Sequence, residues 1–185
     1  MNTNEFNPRA LSAIVLTATV AAWITYRQRK KKLAPEVAAY VDLRRYQGTW
    51  YEIARKPVSF EKNCYGTQAH YALRKDGKTL DVVNTCYKKS LSGSEKVGVA
   101  KAWVADPVTN AKLKVQFQWP FRGDYWILEV GKKYEYALVG EPGRKKLWVL
   151  SRTPTLPHYV TAQLLDRARQ QGFDTDDLIL TTQPV

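Results

Sequence analysis

The chain is poor in the residues that most often carry chemistry: its 185 residues include two cysteines, two histidines and one methionine. His70 and His158 have no second ligand at metal spacing, so no metal centre is expected. A nucleophile elbow, a phosphate-binding loop and a paired-carboxylate motif are also missing, which argues against an enzyme, and nothing in the sequence calls for a cofactor. Zinc-finger spacing and a recognition-helix pattern are lacking and the basic residues are interspersed, so nucleic acid is not an expected partner. Two cysteines allow one disulfide at most. None lies in or just after the apolar segment near the start, which excludes a lipid-modified cysteine anchor from this sequence.

Aromatics and positive charge are what the chain has in quantity. Aromatic residues make up 12%, with six tryptophans and eleven tyrosines, enough to suggest a thick core or a lined cavity. Net charge is +12, and residues 1–32 hold six basic residues against Glu5, leaving about +7 on the remainder. A basic body of that kind is drawn to anionic surfaces such as phospholipid headgroups, but a plain solvated basic surface is the reading the charge favours first.

Residues 10–26, ALSAIVLTATVAAWITY, form an uncharged run of about seventeen residues, at the short end of what crosses a bilayer, followed at once by RQRKKK. One arginine precedes the run, whereas Trp23, Tyr26 and the basic cluster follow it. This order predicts an uncleaved membrane-anchor helix in residues 1–32 rather than a cleaved signal, with cleavage after Ala22 as the alternative. The charge asymmetry alone would put the body on the cytoplasmic side.

From Thr49 onward the chain reads as short strands separated by turns. The clearest is KLKVQFQW, residues 112–119, where Leu113, Val115, Phe117 and Trp119 alternate with polar residues. A two-residue Asp76-Gly77 turn predicts a hairpin between YGTQAHYAL and TLDVVNTCY. Further strands are KVGVAKAWVA, DYWILEV, YEYALVG and KLWVLSR, joined by DPVTN, WPFRGD, EVGKK and EPGRKK. With GTWYEIAR first, eight strands follow in an up-and-down order. The prediction is an all-β, eight-stranded antiparallel barrel with room for one small ligand. PHYVTAQLLDRARQQ, residues 157–171, predicts one C-terminal α-helix presenting Val160, Leu164 and Ala168 to the barrel, followed by an extended tail.

GTWYEIAR, KYEYALVG and LWVLSRTP resemble the three ordered signature regions of the lipocalins. The resemblance runs from Val41 to Pro184, includes PFRGDYW and GFDTDDLILTTQP, and is greatest to the bacterial outer-membrane and apolipoprotein D-like branch. It implies a lipocalin calyx over residues 33–185 that stores or transports fatty acids or lysophospholipids in the cell envelope, for membrane maintenance under stress. The alternatives are a lipocalin-fold enzyme on a hydrophobic substrate, or a binder of haem or another pigment. The expected partners are a lipid and the membrane, and a homodimer is left open. Gly48, Trp50, Tyr134 and Arg152 are the structural signature it implies, with Arg152 packed over the indole of Trp50 at the closed end.

If Arg152 points inward, strand alternation sends Leu150 and Trp148 inward too, and places Glu52 and Ala54 on the face of Trp50. Glu52 is then an interior carboxylate with a basic partner or, as expected here, a rim residue, because unpaired carboxylates are seldom buried. Tyr71, Val82, Asn84, Leu113, Val115 and Phe117 complete the expected lining, with a filled core as the competing reading. Arg122, beside Trp119 and Phe121, is a candidate to hold a lipid phosphate or carboxylate. Cys64 and Cys86 sit at the outer ends of the first hairpin. A two-residue turn pairs Cys86 with Thr67, so a bridge between the cysteines needs a bulge. The bridge is expected, and it would place the barrel in an oxidising compartment, periplasmic, with the outer membrane one option for the anchor.

Overall fold

The structure, a computed structural model, describes residues 33–118 and 120–184. The 10–26 run, with its anchor and cleavage readings, and Trp119 lie outside the described residues. Among the described residues no helix is long and apolar enough to cross a membrane.

A one-turn helix, α1 (Leu43–Tyr46), precedes eight strands: β1 (Gly48–Arg55), β2 (Cys64–Leu73), β3 (Thr79–Lys88), β4 (Glu95–Val104), β5 (Lys112–Gln118), β6 (Phe121–Val130), β7 (Tyr136–Gly140) and β8 (Leu147–Ser151). Helix α2 (His158–Gln170) and a short ninth strand, β9 (Ile179–Leu180), follow among the described residues. From β1 to β8 each strand pairs antiparallel with the next, β1 also pairs with β8, which closes the barrel, and β9 pairs antiparallel with β1. Closure removes the free edges that an open sheet would expose.

The register explains the two faces. In β5, Leu113 is fully buried while Phe117 near the strand's end is exposed, so one alternating face runs from packed core to open mouth. The first hairpin keeps the register expected from an Asp76-Gly77 centre, with Leu73 opposite Leu80, but its loop is wider than two residues: Arg74 N–H donates to Thr79 O across it. A register shift between Tyr65 and Gln68, with Gly66 at φ +59, supplies the bulge that the cysteines need. Cys64 and Cys86 are bridged, with Cα atoms 5.4 Å apart.

A second bulge, between Glu52 and Ala54, corrects the alternation expected for β1. It turns Ala54 to the outer face, where it packs with Leu138, Val149, Leu164, Ala168 and Phe173 beneath α2. It turns Arg55 inward, onto the side of Glu52. Gly140 lets α2's follow-on segment lie close, since a Cβ there would stand 2.7 Å from the Phe173 ring. The tail then fills the gap where β1 leaves β2: Gly66 N–H donates to Thr182 O, and Gln183 Nε2 donates to the carbonyls of Glu52 and Thr67 at 2.7 and 2.8 Å.

The stretch before β1 closes the other end. Ala38 N–H bonds Ile127 O and Val41 N–H bonds Thr109 O, which carries Val41, Leu43 and Tyr46 across the barrel into the core with Trp50 and Leu113. One more correction concerns WPFRGD, expected as a connection. β6 begins at Phe121, opposite Gln118, so Phe121, Arg122 and Gly123 join Asp124, already expected in a strand, as strand residues.

Candidate functional site

Gly48, Trp50, Tyr134 and Arg152 meet at the closed end. Trp50 is fully buried, its Nε1 donates to Tyr46 O at 2.8 Å, and the Arg152 guanidinium lies 3.8 Å from its ring centroid. The same guanidinium donates to the carbonyls of Thr49, Arg45, Tyr46 and Gln47 at 2.8 to 3.1 Å, and its Nε to Tyr134 O at 3.2 Å. A helix ends with unpaired carbonyls, and one cation here satisfies those that α1 leaves open. Gly48 has φ +96 and a Cβ on it would meet Arg152 Nη1 at 3.3 Å, so both backbone and space favour glycine. Tyr134 accepts from Asp42 N–H at 2.7 Å and lies 4.2 Å beneath the Arg45 guanidinium.

Above this floor is a cavity of about 340 Å³. Tyr71, Val82, Asn84, Val115, Phe117, Arg122, Trp148 and Leu150 all line it, and Trp50 and Glu52 contribute at its inner wall. Leu113 does not, contrary to the expectation: it sits at the closed-end start of β5, beneath the crossing segment, and is filled core. Arg122 stands at the mouth, 5.3 Å over the ring of Trp103, with Lys146 nearby and the exposed rings of Phe60, Phe117 and Phe121 around the rim. A recess of about 260 Å³ adjoins the mouth, sharing Phe60, Glu61, Thr67, Asn84 and Phe117 and reaching to Lys96 and the disulfide.

The wall also holds a charged cluster that strand patterning misses. Glu52 is 2% exposed, so it is interior and not on the rim. Arg55 Nε lies 3.2 Å from Glu52 Oε1 and 3.0 Å from Glu61 Oε2, so one guanidinium serves two carboxylates. Arg55 Nη2 donates to Glu61 O, Trp148 Nε1 points to Glu61 Oε2 at 3.4 Å, and Thr181 Oγ1 donates to Glu52 Oε1. Burial first, then the negative charge of Glu61, pushes the Glu52 carboxyl well above the ordinary carboxylate range. Burial also raises Glu61, opposed by Arg55. The inward turn of Arg55 depends on the β1 bulge and Glu61 comes from a short 3-10 turn (Ser59–Glu61), so alternation could not have joined them. The presence of a basic residue three positions after Glu52 was the available signal.

His70 shares a 3.0 Å hydrogen bond with Thr49 Oγ1, and among the described residues no group of acidic, histidine or cysteine side chains could hold a metal.

A closed antiparallel barrel with an aromatic, arginine-capped floor, one outer helix and an apolar interior defines a small-molecule binding fold. Residues 41–183 match the family model described as a lipocalin-like domain. The chain belongs to the lipocalin family. It is 41% identical over 143 residues to the outer membrane lipoprotein Blc of Escherichia coli (strain K12), covering 77% of this chain and 80% of the relative. It is 38% identical to temperature-induced lipocalin-1 of Arabidopsis thaliana, covering 83% and 85%, and 35% identical to apolipoprotein D of Mus musculus, covering 81% of each. Among solved structures, insecticyanin of Manduca sexta superposes with a TM-score of 0.63 at 22% identity, covering 82% of this chain and 87% of that one. Lobster apocrustacyanin A1 gives 0.63 at 17%, covering 82% and 91%. These two likenesses speak to the fold alone. Members of the family act by binding and transport, and this chain is a binding protein, not an enzyme.

Proposed function

We propose that the protein is a lipid carrier of the cell envelope that holds one acyl chain, as a fatty acid or a lysophospholipid, inside the calyx. The observation that carries this reading is the cavity of about 340 Å³, floored by Trp50 and walled by Tyr71, Val82, Ala102, Val115, Trp148 and Leu150, with Arg122 and Lys146 at its mouth. That volume falls in the range of sites that enclose small ligands. Each methylene taken from water into such walls contributes about 0.8 kcal/mol, so most of a fatty chain supports roughly micromolar binding after ordering costs. The anionic head stays at the mouth, within reach of Arg122 and Lys146.

Two observations support a place outside the cytoplasm. The Cys64–Cys86 bridge belongs to oxidising compartments, and the relative in Escherichia coli is named an outer membrane lipoprotein. The run at residues 10–26, with its basic flank, would tether the barrel to the membrane it serves. The reading is tested by delipidating the purified protein and titrating it with lysophospholipid and a fluorescent fatty acid. Saturable uptake of one molecule per barrel supports it, and failure to take up either sinks it.

A further inference from the structure

Three phenols meet at the inner end of the cavity. Tyr71 donates to the Tyr125 hydroxyl at 2.9 Å, and the hydroxyls of Tyr46 and Tyr125 share a hydrogen bond of 2.7 Å. Three hydroxyl protons therefore serve two bonds, and among the described residues these hydroxyls have no further hydrogen-bond partner.

Burial decides where the spare proton sits. Tyr46 is fully buried and does not line the cavity, so a proton left over on its hydroxyl would be stranded in the core, which native structures avoid. Tyr46 therefore donates to Tyr125. With Tyr71 donating as well, both lone pairs of the Tyr125 oxygen are occupied and its own proton is free. Tyr125 does line the cavity, among Val82, Ala102 and Leu150. Burial pushes the Tyr71 hydroxyl up to about 12 and raises those of Tyr46 and Tyr125 well above their usual value, so all three stay protonated donors at physiological pH.

We propose that the Tyr125 hydroxyl donates to an oxygen carried at the buried end of the ligand, so that the calyx accepts acyl chains bearing a hydroxyl or keto group at the chain end. The inference rests on the acyl-carrier reading with the head at the mouth. A plain methyl end leaves the Tyr125 donor unmatched, whereas an oxygen there completes the phenol trio.

The test is isothermal titration of the delipidated protein with palmitic acid and with ω-hydroxypalmitic acid, in the wild type, Tyr125→Phe and Tyr71→Phe. The wild type should bind the hydroxy acid at least as tightly as the parent acid. Tyr125→Phe should weaken the hydroxy acid about tenfold more than it weakens the parent acid, so the readout is the ratio of the two affinities. Tyr71→Phe removes a phenol of the same trio but leaves the Tyr125 proton free, so it should keep the wild-type preference. Equal loss for both acids in Tyr125→Phe, or loss for neither, overturns the inference while leaving the carrier reading intact. If Tyr125→Phe does not fold, the wild type decides: tighter binding of the parent acid than of the hydroxy acid overturns the inference. Binding of neither acid by the wild type overturns the carrier reading and the inference with it.

Discussion

Replacing Arg152 with methionine keeps the aliphatic stem over Trp50 and removes the charge and its donors. The loss has two parts. Stacking of a guanidinium at 3.8 Å from a buried indole contributes about 0.5–2 kcal/mol. Hydrogen bonds from a charged donor contribute about 1.5–3 kcal/mol each when buried, but the five here share one side chain, and those to Arg45 and Gln47 are exposed enough for water to replace. Of the part-buried carbonyls, Tyr46 O keeps its bond from Trp50 Nε1, whereas those of Thr49 and Tyr134 lose the arginine donor. A total near 3 kcal/mol follows, which for a domain of this size lowers Tm by about 6–12 °C. Urea denaturation followed by tryptophan fluorescence should show a lower midpoint at unchanged slope. Arg152→Lys should recover less than half, because a point charge cannot reach carbonyls on α1, β1 and the β6–β7 turn together. Lipid affinity should stay within about threefold, since Arg152 does not line the cavity. A loss below about 1 kcal/mol, or full rescue by lysine, would show that Arg152 does not hold the closed end in this way.

Trp148→Ala should behave in the opposite way. The indole lines the cavity and is backed by packing on one side, so truncation should cost about tenfold or more in acyl-chain affinity and comparatively little stability. A larger loss of stability than of binding free energy would contradict the face assigned to it. Glu52→Gln tests the buried acid. Because the folded-state pKa of Glu52 is raised, folding takes up a proton. The stability this contributes is present below the unfolded value of about 4.3 and is lost as pH rises through the folded value. The glutamine variant removes that titration, so its stability relative to the wild type should grow with pH across the acidic to neutral range; a difference independent of pH would count against it.

Much of the barrel was legible because alternation and turns are local. The hairpin centre at Asp76-Gly77 sets Leu73 opposite Leu80, and that register in turn shows that the cysteines need the bulge found at Gly66. Alternation assigns a face but not a depth. Leu113 and Val115 share the inner face of β5, yet Leu113 is sealed beneath the segment that crosses the closed end, and Val115 lines the cavity. Bulges carry no composition signal strong enough to place them, so alternation puts Ala54 on the inner face and does not join Glu52, Arg55 and Glu61. The pairing of Trp50 with Arg152 joins residues 102 positions apart in sequence, and it came from family resemblance, since no pattern within one chain links them. Nor does any local pattern join Tyr46 to Tyr125, whose hydroxyls meet only because a short helix folds back across the barrel floor.

The carrier function turns on what the calyx holds. Native mass spectrometry of the purified protein, followed by extraction and identification of whatever is carried, measures that without a chosen probe. A carrier should yield a substoichiometric to equimolar lipid bearing a single acyl chain, absent after delipidation and restored by lysophospholipid. A bound pigment, or a barrel that is empty as purified and remains empty with every acyl ligand offered, would contradict it.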